Sequence, residues 1–175
     1  KTLTLALQGG GSHGAFTWGV LDCLLEHGGV EVEGISGASA GAMNAVVMAH
    51  GMTTGGRDGA RQALKDFWEG LAATAHFGAR PEDLTPTAGG GTRQSNASVG
   101  MESFFSMMRH FAPRQFNPLD VNPLRELLEK QVDFDRIRSD CRIHLFIATT
   151  HVGSGLLHLF RTPDLTLEVL LASAC

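Results

Sequence analysis

Positive charge is not in excess in this sequence: 14 lysines and arginines stand against 18 aspartates and glutamates, a formal net charge of −4. The basic residues are scattered and form no polybasic run, which argues against a nucleic-acid footprint or a patch built for anionic lipid. Only three cysteines occur, Cys23, Cys141 and Cys175, and none sits in C-x-x-C or similar metal-ligand spacing. Such a set reads as incidental thiols in a reducing compartment, not as a disulfide framework or a metal site. No stretch reaches the roughly 18 apolar residues of a membrane-spanning helix, and no charged-then-apolar leader opens the chain. Asn96-Ala97-Ser98 has the letters of a glycosylation acceptor, but without a leader it reads as chance. No internal repeat is visible.

What is present is 175 residues, 43% of them hydrophobic, with a mean hydropathy near zero. That suits one compact domain over residues 1–175 with a real core. Lys1 leads straight into a strand, and the chain stops within an apolar helical run (Leu167, Val169, Leu170, Leu171). Both ends therefore read as cut, and the expectation is the N-terminal part of a longer domain.

Residues 2–8 read as a strand, nearly apolar along the second half and hence expected to be central in its sheet. A glycine loop at 9–14 follows, then a helix at 15–26 with Phe16, Val20, Leu21, Leu24 and Leu25 at helical spacing, stopped by Gly28-Gly29. Residues 30–36 read as a second strand, 37–41 as a second glycine loop, and a helix continues to about His50. Residues 51–59 form a turn-rich break before an amphipathic helix at 57–73. Residues 78–100 hold Pro81, Pro86 and Gly89-Gly90-Gly91 without periodicity and are expected to be a long mobile loop. Short helices are expected at 101–111 and 123–131, strands at 142–150 and 156–160 with a hairpin across Gly153-Ser154-Gly155, and a closing helix at 166–174. Strand–glycine loop–helix, twice over, predicts an α/β fold: three layers, α/β/α, around a mainly parallel central sheet.

The two glycine loops carry the chemistry. In Gly37-Ala38-Ser39-Ala40-Gly41 small residues flank a serine at a strand-to-helix turn. That is the pattern that presents a hydroxyl sterically free at a helix N-terminus. Ser39 is the candidate nucleophile and the Ala40 N–H a candidate oxyanion donor. The plain alternative is a tight turn with Ser39 as helix cap. Gly9-Gly10-Gly11-Ser12-His13-Gly14 supplies further main-chain amides able to point into one concavity, with Gly9, Gly10 and Gly11 the candidate oxyanion hole and His13 and Gly14 as further loop contributors. The same six residues satisfy G-x-G-x-x-G, so a dinucleotide-binding oxidoreductase is a rival, with Glu31 or Glu33 as ribose ligand. It leaves unexplained a second glycine turn where the ribose acid would normally sit.

At these two motifs the sequence resembles the patatin-like phospholipase family, whose pattern is a G-G-G-x-[RK]-G loop, a G-x-S-x-G elbow and a later D-G-[GA]. The segment AFTWGVLDCLLEHG after the first loop also looks like that of bacterial members. The resemblance implies a truncated patatin-like α/β domain and hydrolysis of lipid acyl esters, phospholipase A in type, through an acyl-enzyme on Ser39. It implies a Ser–Asp dyad and no cofactor or metal. His13 departs from the usual Arg or Lys, putting a titrating group or a loop hydrogen bond in its place. No D-G-[GA] occurs late in the chain. Asp58-Gly59-Ala60 has the letters but sits too close after Ser39, so the base is expected beyond Cys175 and residues 1–175 alone are expected to be inactive. His151 is the candidate if a histidine acts instead.

Met101, Phe104, Phe105, Met108 and Phe111 share one helical face, read either as core or as a lid over residues 101–111 touching a membrane surface transiently. The expected partners are a lipid or acyl ester substrate and no nucleic acid. The expected location is cytoplasmic or peripheral to a membrane. A non-catalytic lipid-binding or interaction protein that kept both loops is the remaining alternative.

Overall fold

The computed structural model describes residues 1–77 and 122–174. The expectations for the loop at 78–100, for the helix at 101–111, for Asn96 and for Cys175 lie outside those residues. Four strands among the described residues form one sheet in the order β1-β2-β3-β4: β1 (Thr2–Leu7), β2 (Glu31–Gly37), β3 (His144–Thr150) and β4 (Leu157–Arg161). The first three run parallel, and β4 returns antiparallel along β3. The α/β fold with a mainly parallel sheet is therefore present, as is the hairpin across Gly153-Ser154-Gly155, closed by a hydrogen bond from His151 N–H to the Leu156 carbonyl at 2.9 Å.

The expected central place of β1 is corrected. Among the described residues it lies at one edge, paired only with β2. The sequence TLTLAL alternates, which is the signature of a strand covered on one face. Leu5 and Leu7 pack on the core, while Thr2, Thr4 and Ala6 are exposed.

Five helices among the described residues accompany the sheet: α1 (Gly14–His27), α2 (Ala40–Phe77), α3 (Pro123–Gln131), α4 (Phe134–Asp140) and α5 (Leu167–Ser173). Their ends carry the expected signals. Gly28 adopts φ 70 after α1, Asn122 caps α3 ahead of Pro123, and Thr166 caps α5. Helix α4 escapes sequence reading because its seven residues give only Phe134 and Ile137 as apolar anchors. The buried stripe of α1 is also corrected: Gly14, Leu21 and Leu25 face inward, whereas Phe16 and Val20 are 78% and 46% exposed. Apolar spacing locates the helix but not the arc of it that packs.

Helix α2 is a helical hairpin. Gly55 (φ −145) and Gly56 (φ 63) leave helical geometry, a narrower break than the expected 51–59. The second arm then runs back along the first: Gly51 lies against Gly59 and Ala60, and Asn44 meets Trp68. Every residue from Ala40 to Ala49 is buried, as expected of a helix apolar on all sides. This first arm packs on β1, β2 and β3 and forms the centre of the core.

His50 ends that buried arm, and burial pushes its pKa below the ordinary 6.5, with Asp133 opposing and Arg136 adding to the shift. The unfolded chain therefore takes up this proton first as pH falls. The contribution of His50 to stability is full above about pH 6.5 and is lost as pH falls below it. His50→Gln is expected to flatten the decline between neutral and mildly acidic pH in a denaturant titration. An unchanged acid limb would assign that decline to other groups.

Candidate active site

Strand β2 ends at Gly37, and α2 begins three residues later at Ala40. Ser39, at the turn between them, has φ 52, the only positive φ of a non-glycine among the described residues. A β-region strand cannot feed a helix so abruptly without such a residue, and strain of this kind gathers where a side chain has to be presented. The Ser39 side chain is partly exposed, and its Oγ has no hydrogen-bond partner among the described residues.

The elbow closes on itself and on β1. Gly41 N–H donates to the Ala38 carbonyl at 2.9 Å, and Ala38 N–H donates to the Leu7 carbonyl at 3.4 Å. A Cβ on Gly41 would fall 2.2 Å from the Leu7 carbonyl oxygen, so only glycine fits. The two loops converge as well: a Cβ on Gly9 would lie 3.1 Å from Ser39 Cβ and 3.2 Å from the Ala38 carbonyl. Parallel strands with short connections bring both loops to one carboxyl edge of the sheet. Gly10 and Gly11 turn there with φ 153 and 58, and His13 Nδ1 hydrogen-bonds the Gly10 carbonyl at 3.0 Å. His13 thus bonds within its own loop.

Two contacts that sequence reading missed fix this arrangement. Asn44 is fully buried, and among the described residues it is the only buried polar side chain. Its Nδ2 donates to the Gly14 carbonyl at 2.9 Å, and its Oδ1 accepts from Trp68 Nε1 at 2.9 Å. The end of the glycine loop, the first arm of α2 and its returning arm are joined through one amide. A lone polar residue within AGAMNAVVMA was the available signal. Asn44→Ala orphans a buried donor and a buried acceptor, and is expected to cost about 2–5 kcal/mol; urea denaturation measures it. The second contact is Ser173, at the end of α5. Ser39 N–H donates to Ser173 Oγ at 2.9 Å, and Ser173 Oγ donates to the Ala148 carbonyl of β3 at 2.7 Å.

The remaining candidates lie elsewhere. Asp58 is exposed on the second arm of α2, just past the break. It lines a groove with Trp18, Asp22 and Arg61, about 18 Å along the helix axis from Ser39. His151 bonds Ser154 Oγ within its own turn at 2.9 Å. Glu31 and Glu33 are exposed in the first half of β2, with Glu31 opposite Thr2. That places them toward the end of the strand away from the glycine loop, and the dinucleotide reading loses its ribose ligand. Cys23 and Cys141 are free thiols, and no helix among the described residues is long and apolar enough to cross a membrane.

The family model described as Patatin-like phospholipase matches residues 5–175. Among solved structures the chain is similar to VipD from Legionella pneumophila, at 19% identity and a TM-score of 0.50, over 97% of this chain and 41% of that one. It is also similar to ExoU in its heterodimeric complex with SpcU from Pseudomonas aeruginosa, at 18% identity and a TM-score of 0.45, over 99% of this chain and 36% of that one. No curated protein sequence matches. The chain thus spans about two fifths or less of these structures and, on the family match, belongs to the patatin-like phospholipases.

Proposed function

We propose that this chain carries the nucleophile and oxyanion hole of a serine hydrolase acting on the acyl esters of lipids. The observation that carries the reading is the packing of the glycine loop against the elbow, with Gly9 in contact with the turn that holds Ser39 at φ 52. Ser39 Oγ attacks the ester carbonyl carbon and gives up its proton to a base. The carbonyl oxygen gains charge and accepts hydrogen bonds from main-chain amides. Ala40 N–H, at the positive end of α2, and the amides of Gly9, Gly10 and Gly11 are the donors assigned here. Collapse breaks the bond to the alcohol, which leaves with the proton, and water then hydrolyses the acyl-serine.

The base is assigned to an aspartate outside residues 1–175, as the resemblance implies. Residues 1–175 alone then hold the nucleophile without its base. The test is release of free fatty acid from phospholipid vesicles by the full-length protein, set against the 175 residues alone. Release by the full-length protein only is expected. Equal release by both would place the base within these residues.

A further inference from the structure

Among the described residues seven large apolar side chains are exposed, and four of them belong to the β3–β4 hairpin: Val152, Leu156, Leu157 and Leu159. Scattered exposed apolar residues are ordinary, so their position decides the matter. Strand β3 is parallel to β1 and β2, which puts the turn after Thr150 at the same edge as the glycine loop and the elbow. Ser173 links the hairpin to the nucleophile directly, accepting from Ser39 N–H and donating to Ala148 of β3. Val152, four residues further on and 97% exposed, stands about 10 Å past that link. The sheet order sets the elbow, after β2, between the glycine loop, after β1, and this hairpin. On the other flank Phe16, two residues past the loop, is 78% exposed.

The composition of the hairpin suits a lipid surface. Residues 143–160 contain no aspartate, glutamate, lysine or arginine, although 18% of the chain is charged. Insertion of the tip among lipid headgroups therefore desolvates no carboxylate, ammonium or guanidinium. Several polar groups at the turn bond one another: the His151 ring with Ser154, the His151 amide with the Leu156 carbonyl, and the Ser154 and Gly155 amides with the His151 carbonyl. We infer that the tip of the β3–β4 hairpin, with Val152 and Leu156 foremost, is a docking element that enters the headgroup region of a bilayer and brings Ser39 to its substrate. This rests on the reading of the site as a lipid acyl hydrolase. Because the contact is apolar and not ionic, it should depend little on anionic lipid or on salt.

The experiment uses the full-length protein carrying Ser39→Ala, so that binding is read without hydrolysis, and vesicles of phosphatidylcholine alone or mixed with phosphatidylglycerol. Co-sedimentation with both vesicles, retained in high salt, is expected. Adding Val152→Glu and Leu156→Glu should lower the partition at least about tenfold. With Ser39 intact, the same pair should leave turnover of a soluble short-chain ester unchanged and reduce turnover on vesicles. Undiminished vesicle binding by the double variant would overturn the proposal, as would a parent that does not bind. An equal loss on soluble and vesicle substrates would also overturn it, by placing the hairpin against another part of the protein or a second copy. A Ser39 without reactivity would instead sink the catalytic reading and leave the binding result standing.

Discussion

Ser39→Ala is expected to lower ester hydrolysis by the full-length protein about 10⁴-fold or more, with its unfolding midpoint unchanged. Loss of a nucleophile removes the covalent route and leaves only what binding and the amide donors supply. The stability half of the prediction comes from the local structure. Ser39 Oγ has no hydrogen-bond partner among the described residues, so its removal orphans nothing. The bond that holds the elbow is made by the Ser39 amide, which alanine keeps. The φ of 52 is as demanding for alanine as for serine. Turnover near the parent level in a folded variant would show that the hydroxyl is not the attacking group.

The second large effect is on folding. Gly41→Ala would put a methyl group 2.2 Å from the Leu7 carbonyl oxygen and 2.7 Å from that of Gln8. Both obstacles are backbone, and the first arm of α2 is buried on all sides and cannot swing away. A destabilisation of about 3 kcal/mol or more is expected, read as a lower denaturation midpoint or loss of soluble protein. Gly19→Ala is the control. Gly19 lies inside α1, and a methyl group there would meet nothing within 4 Å, so alanine should stabilise by up to about 1 kcal/mol. Similar responses at the two positions would mean that the elbow is looser than its contacts indicate.

The parts of this site legible in the sequence are those whose chemistry is local. Five consecutive residues, Gly37 to Gly41, state a sharp turn and a presented hydroxyl, because the steric demand and the residue that meets it are adjacent in the chain. The glycine loop is legible for the same reason. The hairpin of α2 is readable from its glycines, but the pairing of Asn44 with Trp68 is not, because it depends on how far the second arm returns before the indole reaches the amide. Ser173 lies 134 residues from the amide it holds, a separation over which no spacing rule operates. Apolar period assigns Phe16 and Val20 to the packed face of α1, yet period reports spacing and not burial. Both are exposed instead, Phe16 close to the glycine loop and Val20 further along the helix.

The central claim is that one hydroxyl, at the turn between β2 and α2, does the chemistry. Treating the full-length protein with a fluorophosphonate and mapping the adduct by peptide mass tests it most directly. The adduct is expected on Ser39 alone, and absent from the Ser39→Ala variant. Lipid hydrolysis that persists with no adduct, or an adduct on Ser12 or Ser173 in its place, would contradict the account.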